Sequence, residues 1–220
     1  MHAVGIVAAA GSGLRLGAEQ PKALVLLGGR PLVRWAVDAL RAGGVTDVIV
    51  VVPGGQRAAF AAALPADVRL VDGGATRTAS VRAGLAAADP GADVVLVHDA
   101  ARPLTPPEVV FRVLAALEAG APAVVPVLPV VDTTVVVDED GVITEAVART
   151  PLRRVQTPQG FDRATLAAAY DRLADGAELT DDAAVVRAAG IPVATVDGDE
   201  RAAKVTTAHD LTLAELQVRT

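Results

Sequence analysis

The stretch VGIVAAAGSGLRLGAEQPK, residues 4–22, decides the fold class. It begins with an apolar, β-branched run, which predicts a buried strand, and it continues into a loop of small residues that contains Arg15 and Lys22. Because ligands bind at the carboxyl ends of the strands in an open α/β sheet, we expect this loop to face a ligand. Pro21 fixes its own φ and lacks a backbone N–H, which should keep the loop from becoming helical before Lys22.

Short strand-like runs alternate with helical patterns along the first half of the chain. The strand-like runs are residues 4–8, 47–52, 68–73 and 93–99. This alternation is typical of βαβ units, so we expect an α/β protein with a mostly parallel, twisted sheet flanked by helices. The first helix should begin at Pro31 and end at the Gly43–Gly44 pair, with Arg34 facing Asp38 across one turn.

The alternation is interrupted in residues 125–161. Two valine-rich runs there flank Asp140–Gly141, which predicts a β-hairpin inserted at about residues 128–156. An exposed ribbon this apolar should pack against a second subunit, so we expect a homodimer. The elements expected after the insertion are helices at about 162–174 and 181–189, a strand at 192–198 and a closing helix from about 207.

Composition and charge exclude several classes of protein. A chain of 220 residues that is 52% hydrophobic can bury one core, so we expect a single domain over residues 1–220. The net charge of −6 and the 2% of aromatic residues disfavour nucleic acid as a partner. No apolar run reaches the roughly 18 residues of a membrane span, and the cysteine-free sequence fits the reducing cytoplasm, which is the location we expect.

The glycine loop matches neither of the two common nucleotide motifs. Gly11, Gly13 and Gly17 do not have the dinucleotide spacing, and Lys22 follows Pro21 rather than the glycine of a P-loop. Two interpretations remain: a phosphate-binding turn with added cations, or a tight strand-to-helix turn with solvated cations. Lys22 and Lys204 are the only lysines among 20 basic residues, and lysine supplies a compact point charge that arginine does not.

Seven motifs occur together in one order along the chain. They are AAGSGLRLGAEQPKAL (9–24), VDGGATRTASVRAGL (71–85), LVHDAARPLTPP (96–107), VDT (131–133), RRVQTPQGF (153–161), LTDDAAVV (179–186) and AAKVTTAHDL (202–211). Over about residues 4–215 the chain resembles the 2-C-methyl-D-erythritol 4-phosphate cytidylyltransferase family of the non-mevalonate isoprenoid pathway. The resemblance implies a Rossmann-like nucleotidyltransferase fold, a protruding β-arm that mediates dimerisation, and transfer of CMP from CTP to methylerythritol phosphate. The products would be 4-diphosphocytidyl-2-C-methyl-D-erythritol and pyrophosphate.

The resemblance also implies roles for residues around the nucleotide. Arg15 and Lys22 would clamp the triphosphate and the pentacoordinate phosphorus, and Lys204 would be a third catalytic cation. The implied nucleotide-binding residues are Ala9, Ala10, Gly11, Gly13, Gly73, Gly74, Ser80, Asp99 and Ala100. Ala75 and Ala79 stand where relatives often have polar or acidic groups, so polar contacts to the base or ribose are reduced at these positions.

Asp99 is the candidate ligand for magnesium. It follows a strand that reads as buried, and Mg²⁺ uses one or two carboxylates together with substrate phosphates. The alternative is that Asp99 caps the following turn. His98 is expected to hold neighbouring backbone, whereas Asp181 and Asp182 read as acids at the start of a helix, where they favour the dipole.

The second substrate is assigned by resemblance to four residues. Asp132, Thr133 and Arg149 of the arm would hold methylerythritol phosphate across the dimer, and Arg102 would brace the site. Arginine suits bidentate capture of phosphate, but a solvated arm arginine is the alternative. Two other functions also remain open: a cytidylyltransferase for a pentitol phosphate such as ribitol 5-phosphate, and a non-catalytic nucleotide-binding protein.

Overall fold

A computed structural model describes residues 1–11, 20–174 and 179–219. The strands are β1 (Ala3–Ala8), β2 (Leu26–Leu27), β3 (Arg30–Pro31), β4 (Asp47–Val52), β5 (Arg69–Asp72), β6 (Val94–Asp99), β7 (Ala123–Pro129), β8 (Thr134–Val137), β9 (Ile143–Val147), β10 (Arg153–Val155), β11 (Gln159–Asp162) and β12 (Ala194–Asp197). The α-helices are α1 (Leu32–Ala42), α2 (Arg57–Ala63), α3 (Arg77–Ala87), α4 (Pro107–Glu118), α5 (Arg163–Arg172), α6 (Asp182–Ala188) and α7 (Ala208–Val218). Short 3₁₀ turns occupy Lys22–Leu24 and Glu200–Ala202.

The main sheet is mostly parallel, as predicted. β1 lies between β4 and β6 and is parallel to both, and β5 continues the parallel order beyond β4. On the other side of β6, β11 is antiparallel to β6 and β7. β10 is antiparallel to β7, and β12 pairs with β7 in parallel. The α/β fold class is therefore confirmed.

Alternate residues of the central strands pack into two separate cores. Val7 and Leu96 belong to a cluster that includes residues of α1, α2 and α4, whereas Ile6 and Val97 belong to one that includes residues of α3, α5 and α6. All four side chains are fully buried. Because successive side chains of a strand point to opposite faces, this division means that helices cover both faces of the sheet.

The first helix agrees with its predicted pattern. The buried residues of α1 are Leu32, Val33, Ala36, Val37 and Leu40. Arg34 Nε lies 3.1 Å from Asp38 Oδ1, which confirms the predicted pair. Pro31 precedes the helix as its cap residue, so the helix begins one residue later than predicted, and Gly43 follows its last residue.

The predicted insertion contains a hairpin outside the main sheet. β8 and β9 pair with each other, and Gly141 in the connecting turn has a φ of +78°, which favours glycine. β7 stays in the main sheet up to Pro129 and β10 rejoins it at Arg153, so the segment that leaves the sheet, here called the arm, is residues 130–152.

The elements after the arm lie close to their predicted positions. α5 and α6 fall within the predicted ranges 162–174 and 181–189, and β12 falls within 192–198. α7 begins at Ala208, directly after its predicted start. Over the three described ranges, no helix has the length and apolarity needed to cross a membrane.

Candidate active site

The ends of three parallel strands border one large cavity. The loops after β1, β5 and β6 supply most of its lining, and its volume is about 590 Å³. Backbone pairing continues past the strand ends, since Ala9 N donates to Val51 O and Ala100 N donates to Ala8 O. The large cavity therefore lies at the carboxyl edge of the sheet, where the first loop was predicted to meet a ligand.

The loop after β5 can approach the loop after β1 closely because it contains glycine. A Cβ at Gly73 would lie 2.8 Å from both Ala10 Cβ and Ser80 Oγ, which is too close for real atoms. Ser80 is buried, and its hydroxyl donates to Thr76 O at 2.8 Å. Ser80 lines the large cavity, and because its proton is donated to Thr76 O, its oxygen remains an acceptor.

Most of the predicted nucleotide-binding residues meet at this cavity. Its lining includes Ala9, Ala10, Gly11, Gly74, Ser80, Asp99 and Ala100. Gly73 is not a lining residue, but a Cβ at its position would overlap two of them, Ala10 and Ser80. Gly13 lies outside the described residues.

Both lysines reach the large cavity from distant parts of the sequence. Lys22 begins the 3₁₀ turn Lys22–Leu24, and Lys204 follows the turn Glu200–Ala202. Val205 N donates to Ala101 O at 2.8 Å, and this bond ties the segment of Lys204 to the loop after β6. Arg15, the third predicted catalytic cation, lies outside the described residues.

Asp99 ends β6 and carries a strongly stabilised negative charge. Its Oδ2 accepts a hydrogen bond from Lys204 Nζ at 2.7 Å, and its Oδ1 lies 3.8 Å from Arg77 Nη2. Burial alone would raise the pKa of Asp99, but Lys204 and Arg77 lower that pKa to about 2. The backbone N–H of Asp99 donates to Thr157 Oγ1, which also bonds His98 Nδ1, so the carboxylate stands on a buried polar support.

His98 is buried and uncharged at neutral pH. Its side chain has no exposed surface, and burial lowers its pKa to about 4. Its hydrogen bond to Thr157 places it behind the backbone of Asp99 rather than at the cavity lining. This hydrogen bond joins two side chains, so the expectation that His98 holds neighbouring backbone stays a prediction.

The donor set at Asp99 fits a magnesium ion. Asp99 is the one carboxylate lining the large cavity among the residues described, and no cluster of three metal-ligating side chains occurs in that part of the chain. In the same residues, Asp99 Oδ1 accepts no hydrogen bond, and Arg77 Nη2 lies 3.8 Å from it. Since Mg²⁺ needs only one or two carboxylates when substrate phosphates complete its shell, the residues fit.

A small cavity of about 190 Å³ adjoins the large one. Arg77, Asp99 and Lys204 line both cavities, and these three residues are called the shared wall below. Arg102 also lines the small cavity, where its guanidinium donates to Ala202 O at 2.7 Å and to Val155 O at 3.2 Å. Two anions, one in each cavity, would therefore both contact the charged side chains of the shared wall.

The chain is similar to known proteins over nearly its whole length. The family model described as IspD, 2-C-methyl-D-erythritol 4-phosphate cytidylyltransferase, matches residues 3–220. The chain belongs to this family. The enzyme of that name from Nocardia farcinica is 55% identical over 215 residues, which are 96% of this chain and 92% of the relative. The one from Rhodococcus opacus is 50% identical over 98% of this chain and 94% of the relative.

A solved structure of the family has the same fold. The crystal structure of the 2-C-methyl-D-erythritol 4-phosphate cytidylyltransferase from Thermus thermophilus superposes with a TM-score of 0.83 at 40% identity, and each chain is covered completely. The resemblance inferred from the seven motifs is thereby confirmed.

The arm residues predicted to bind substrate line neither cavity in a single chain. Asp132, Thr133 and Arg149 are exposed and belong to the lining of neither cavity. Arg149 donates to Val131 O within the arm. Their assignment to a cytidylyltransferase substrate site therefore stays a prediction that needs a second chain.

Sequence reasoning missed one member of the shared wall. Arg77 lies within VDGGATRTASV, a motif of the cytidylyltransferase family, but the prediction from this motif rests on its glycines and Ser80. The available signal was that Arg77 is the only charged residue between Gly73 and Val81, at the start of a helix facing the predicted site. Asp181 caps α6 and Asp182 lies in its first turn, as predicted, but the burial of Asp182 against Arg77 and Tyr170 was not predicted.

Proposed function

We propose that the chain transfers CMP from CTP to 2-C-methyl-D-erythritol 4-phosphate and releases pyrophosphate. A phosphate oxygen of methylerythritol phosphate attacks the α-phosphorus of CTP, a new P–O bond forms, and the bond from the α-phosphorus to the β-phosphate bridge breaks. The products are 4-diphosphocytidyl-2-C-methyl-D-erythritol and pyrophosphate. The observation that carries this proposal is the shared wall between two cavities of unequal size.

The cations of the site reduce the charge repulsion between the two substrates, which is the main barrier to this reaction. A phosphate monoester must approach a triphosphate, and two unit charges 4 Å apart repel by about 1 kcal/mol in water and about 4 kcal/mol at an effective dielectric constant of 20. Lys22, Lys204 and Arg77 line the cavity in which the two anions would meet. Because the fold holds these three cations in place before the reaction, they do not have to reorganise as water molecules around the same charges would. No side-chain nucleophile is needed, because the acceptor phosphate itself attacks.

The cavities suit the two substrates in size and polarity. The large cavity has backbone and Ser80 Oγ available for a base and lysines for a triphosphate, whereas the small cavity has Arg102 beside the shared wall for a phosphate monoester. Asp99 and CTP phosphates would hold Mg²⁺, which would neutralise charge on the triphosphate. Arg15 completes the proposed set of catalytic cations by its place in the family motif.

The arm supports a homodimer in which each chain completes its partner's site. Val131, Val137, Val142 and Ile143 are 65%, 52%, 60% and 64% exposed, which is unusual for an apolar hairpin. A second copy would cover this surface and bring Asp132, Thr133 and Arg149 to the small cavity of its partner. We also propose a cytoplasmic location, which the cysteine-free sequence fits.

The direct test is a panel of nucleoside triphosphates with two acceptors. CTP, UTP, ATP and GTP are each incubated with methylerythritol phosphate or ribitol 5-phosphate, and pyrophosphate release and product mass are measured. We expect CTP with methylerythritol phosphate to be preferred by at least tenfold. Preference for ribitol 5-phosphate would establish the pentitol alternative, and CTP binding without pyrophosphate release would establish a non-catalytic protein.

A further inference from the structure

Asp182 is a buried carboxylate that the proposed reaction leaves without a role. Its side chain has no exposed surface. Its Oδ2 accepts a hydrogen bond from Arg77 Nη2 at 2.6 Å, and its Oδ1 accepts one from the Tyr170 hydroxyl at 2.6 Å. Burying a charge is unfavourable unless close partners compensate it, so a fold that needed only a helix start would not require this residue. Asp181 already provides that start, since it accepts from Ala184 N.

Arg77 connects this buried carboxylate to the shared wall. It is the first residue of α3, and the helix is capped by Thr76, whose hydroxyl accepts from Ala79 N. The guanidinium has five donors, of which one hydrogen bond goes to Asp182 within the described residues. Among the described residues the guanidinium makes no other hydrogen bond, and Arg77 lines both cavities.

Among the described residues, Asp99 is the other carboxylate close to Arg77. The two groups are 3.8 Å apart, which is beyond hydrogen-bonding distance, while Lys204 contacts the other oxygen of Asp99 at 2.7 Å. Asp182 therefore holds the guanidinium away from Asp99 and keeps its donors from being used by that carboxylate. Tyr170 fixes the opposite oxygen of Asp182, so the carboxylate cannot rotate freely.

The protonation states of Arg77 and Tyr170 suit a permanent arrangement. Burial alone would lower the pKa of Arg77, but Asp182 and Asp99 raise it above its ordinary value. Burial and the neighbouring Asp182 raise the pKa of Tyr170 well above its ordinary value, so its hydroxyl stays a donor. The positive charge on Arg77 and the Tyr170 hydrogen bond are thus unchanged over the neutral range.

We propose that Arg77 binds phosphate at the shared wall and that Asp182 and Tyr170 are positioning residues that act through it. The identity of the phosphates, those of CTP and methylerythritol phosphate, rests on the proposed function. Arg77 contacts the substrates, and Asp182 and Tyr170 only set where its guanidinium lies. The three residues act as one unit, so removing Asp182 or Tyr170 should matter only while Arg77 is present.

A double-mutant cycle tests this dependence. The variants are Arg77→Ala, Asp182→Asn, Tyr170→Phe and the double variants that combine Arg77→Ala with each of the other two. Arg77→Ala should lower kcat/KM by about 100-fold, the scale of losing one preorganised donor. Asp182→Asn should lower it by about tenfold and Tyr170→Phe by about threefold, because each loosens the guanidinium without removing it. In the Arg77→Ala background, both further substitutions should change kcat/KM by less than twofold.

Arg82→Ala is the matched control. Arg82 lies on the same helix and donates to Tyr170 O at 2.7 Å, but it lines neither cavity. We expect its kcat/KM to stay within twofold of that of the wild type. A loss equal to that of Tyr170→Phe would mean that any loosening between α3 and α5 reduces activity, and it would overturn the proposal. Fully multiplying effects in the double variants, or an Arg77→Ala variant with wild-type kcat/KM, would also overturn it.

Two further measurements keep the test decisive. Circular dichroism determines the folded fraction of each variant, and Tyr170→Phe, which removes one oxygen, supplies the cycle if Asp182→Asn does not fold. If the wild type releases no pyrophosphate from CTP and methylerythritol phosphate, the proposed function fails. The same variants are then compared by calorimetric binding of inorganic pyrophosphate, where the proposal predicts the same dependence on Arg77 and independent losses would contradict it.

Discussion

Replacing Lys204 by methionine should slow CMP transfer by about 30- to 150-fold. The substitution keeps the length of the side chain and removes the ammonium that contacts Asp99 Oδ2 at 2.7 Å and lines both cavities. An ammonium about 4 Å from a phosphate oxygen contributes about 1 kcal/mol in water and about 4 kcal/mol at an effective dielectric constant of 20. The Lys204 side chain is 43% exposed, so solvent screening favours the middle of that range, about 2–3 kcal/mol. At about 1.4 kcal/mol per factor of ten, this gives the stated loss of rate.

The assay is the steady-state release of pyrophosphate at saturating CTP and methylerythritol phosphate. Arg201→Ala is the matched control, because Arg201 lies three residues away, pairs with Asp199 at 2.9 Å and lines neither cavity. We expect it to retain at least half of the wild-type rate. If Lys204→Met also retained half of that rate, or if Arg201→Ala lost as much as Lys204→Met, the electrostatic role given to the shared wall would be wrong.

Three further predictions concern the loop after β5, the arm and the closing helix. Gly73→Ala should raise the KM for CTP by about tenfold because its Cβ would overlap two atoms of the lining, whereas Gly54→Ala, which meets no atom within 4 Å, should leave KM unchanged. Lys22→Ala and Arg149→Ala chains, each inactive alone, should recover roughly a quarter of wild-type turnover when they are mixed and allowed to exchange subunits. Half of the dimers would then contain one chain of each kind, and each such dimer would have one intact site out of two. If no activity returned, completion of the site by the partner would be refuted. Hydrogen bonds from Thr206 and Thr207 lower the pKa of Asp210 well below its ordinary value, so its stabilisation of α7 is fully present above about pH 4 and decreases as the pH falls toward the folded pKa. Chemical denaturation should show Asp210→Asn to be about 1 kcal/mol less stable than the wild type at pH 7, and the difference should become steadily smaller as the pH is lowered below about 4.

Local sequence patterns predicted the framework well. The βαβ alternation predicted a mostly parallel sheet, and the Asp-Gly turn located the hairpin, because strand periodicity and turn chemistry are encoded in adjacent residues. Lys22 and Lys204 could be assigned to one site because lysine is rare in this chain and both lie in motifs of the family. The scarcity of lysine indicated a shared role for Lys22 and Lys204 that their positions in the sequence alone did not indicate.

The polar support of the site could not be predicted in the same way. Arg77 and Asp182 are 105 positions apart and meet only because the fold brings the first turns of α3 and α6 within reach of a side-chain hydrogen bond. From the sequence, Asp182 is indistinguishable from any acid in the first turn of a helix. Thr157 likewise supports Asp99 from 58 positions away. Such contacts depend on packing between elements, which periodicity does not specify.

The most direct test of the central claim is a single-turnover experiment with protein in excess over CTP, analysed by mass spectrometry. Direct attack by methylerythritol phosphate predicts that pyrophosphate forms only when both substrates are present, in a one-to-one ratio to 4-diphosphocytidyl-2-C-methyl-D-erythritol, and that the protein mass never changes. Pyrophosphate released from CTP alone, with CMP attached to the protein, would contradict the claim that the acceptor phosphate is the nucleophile at the shared wall.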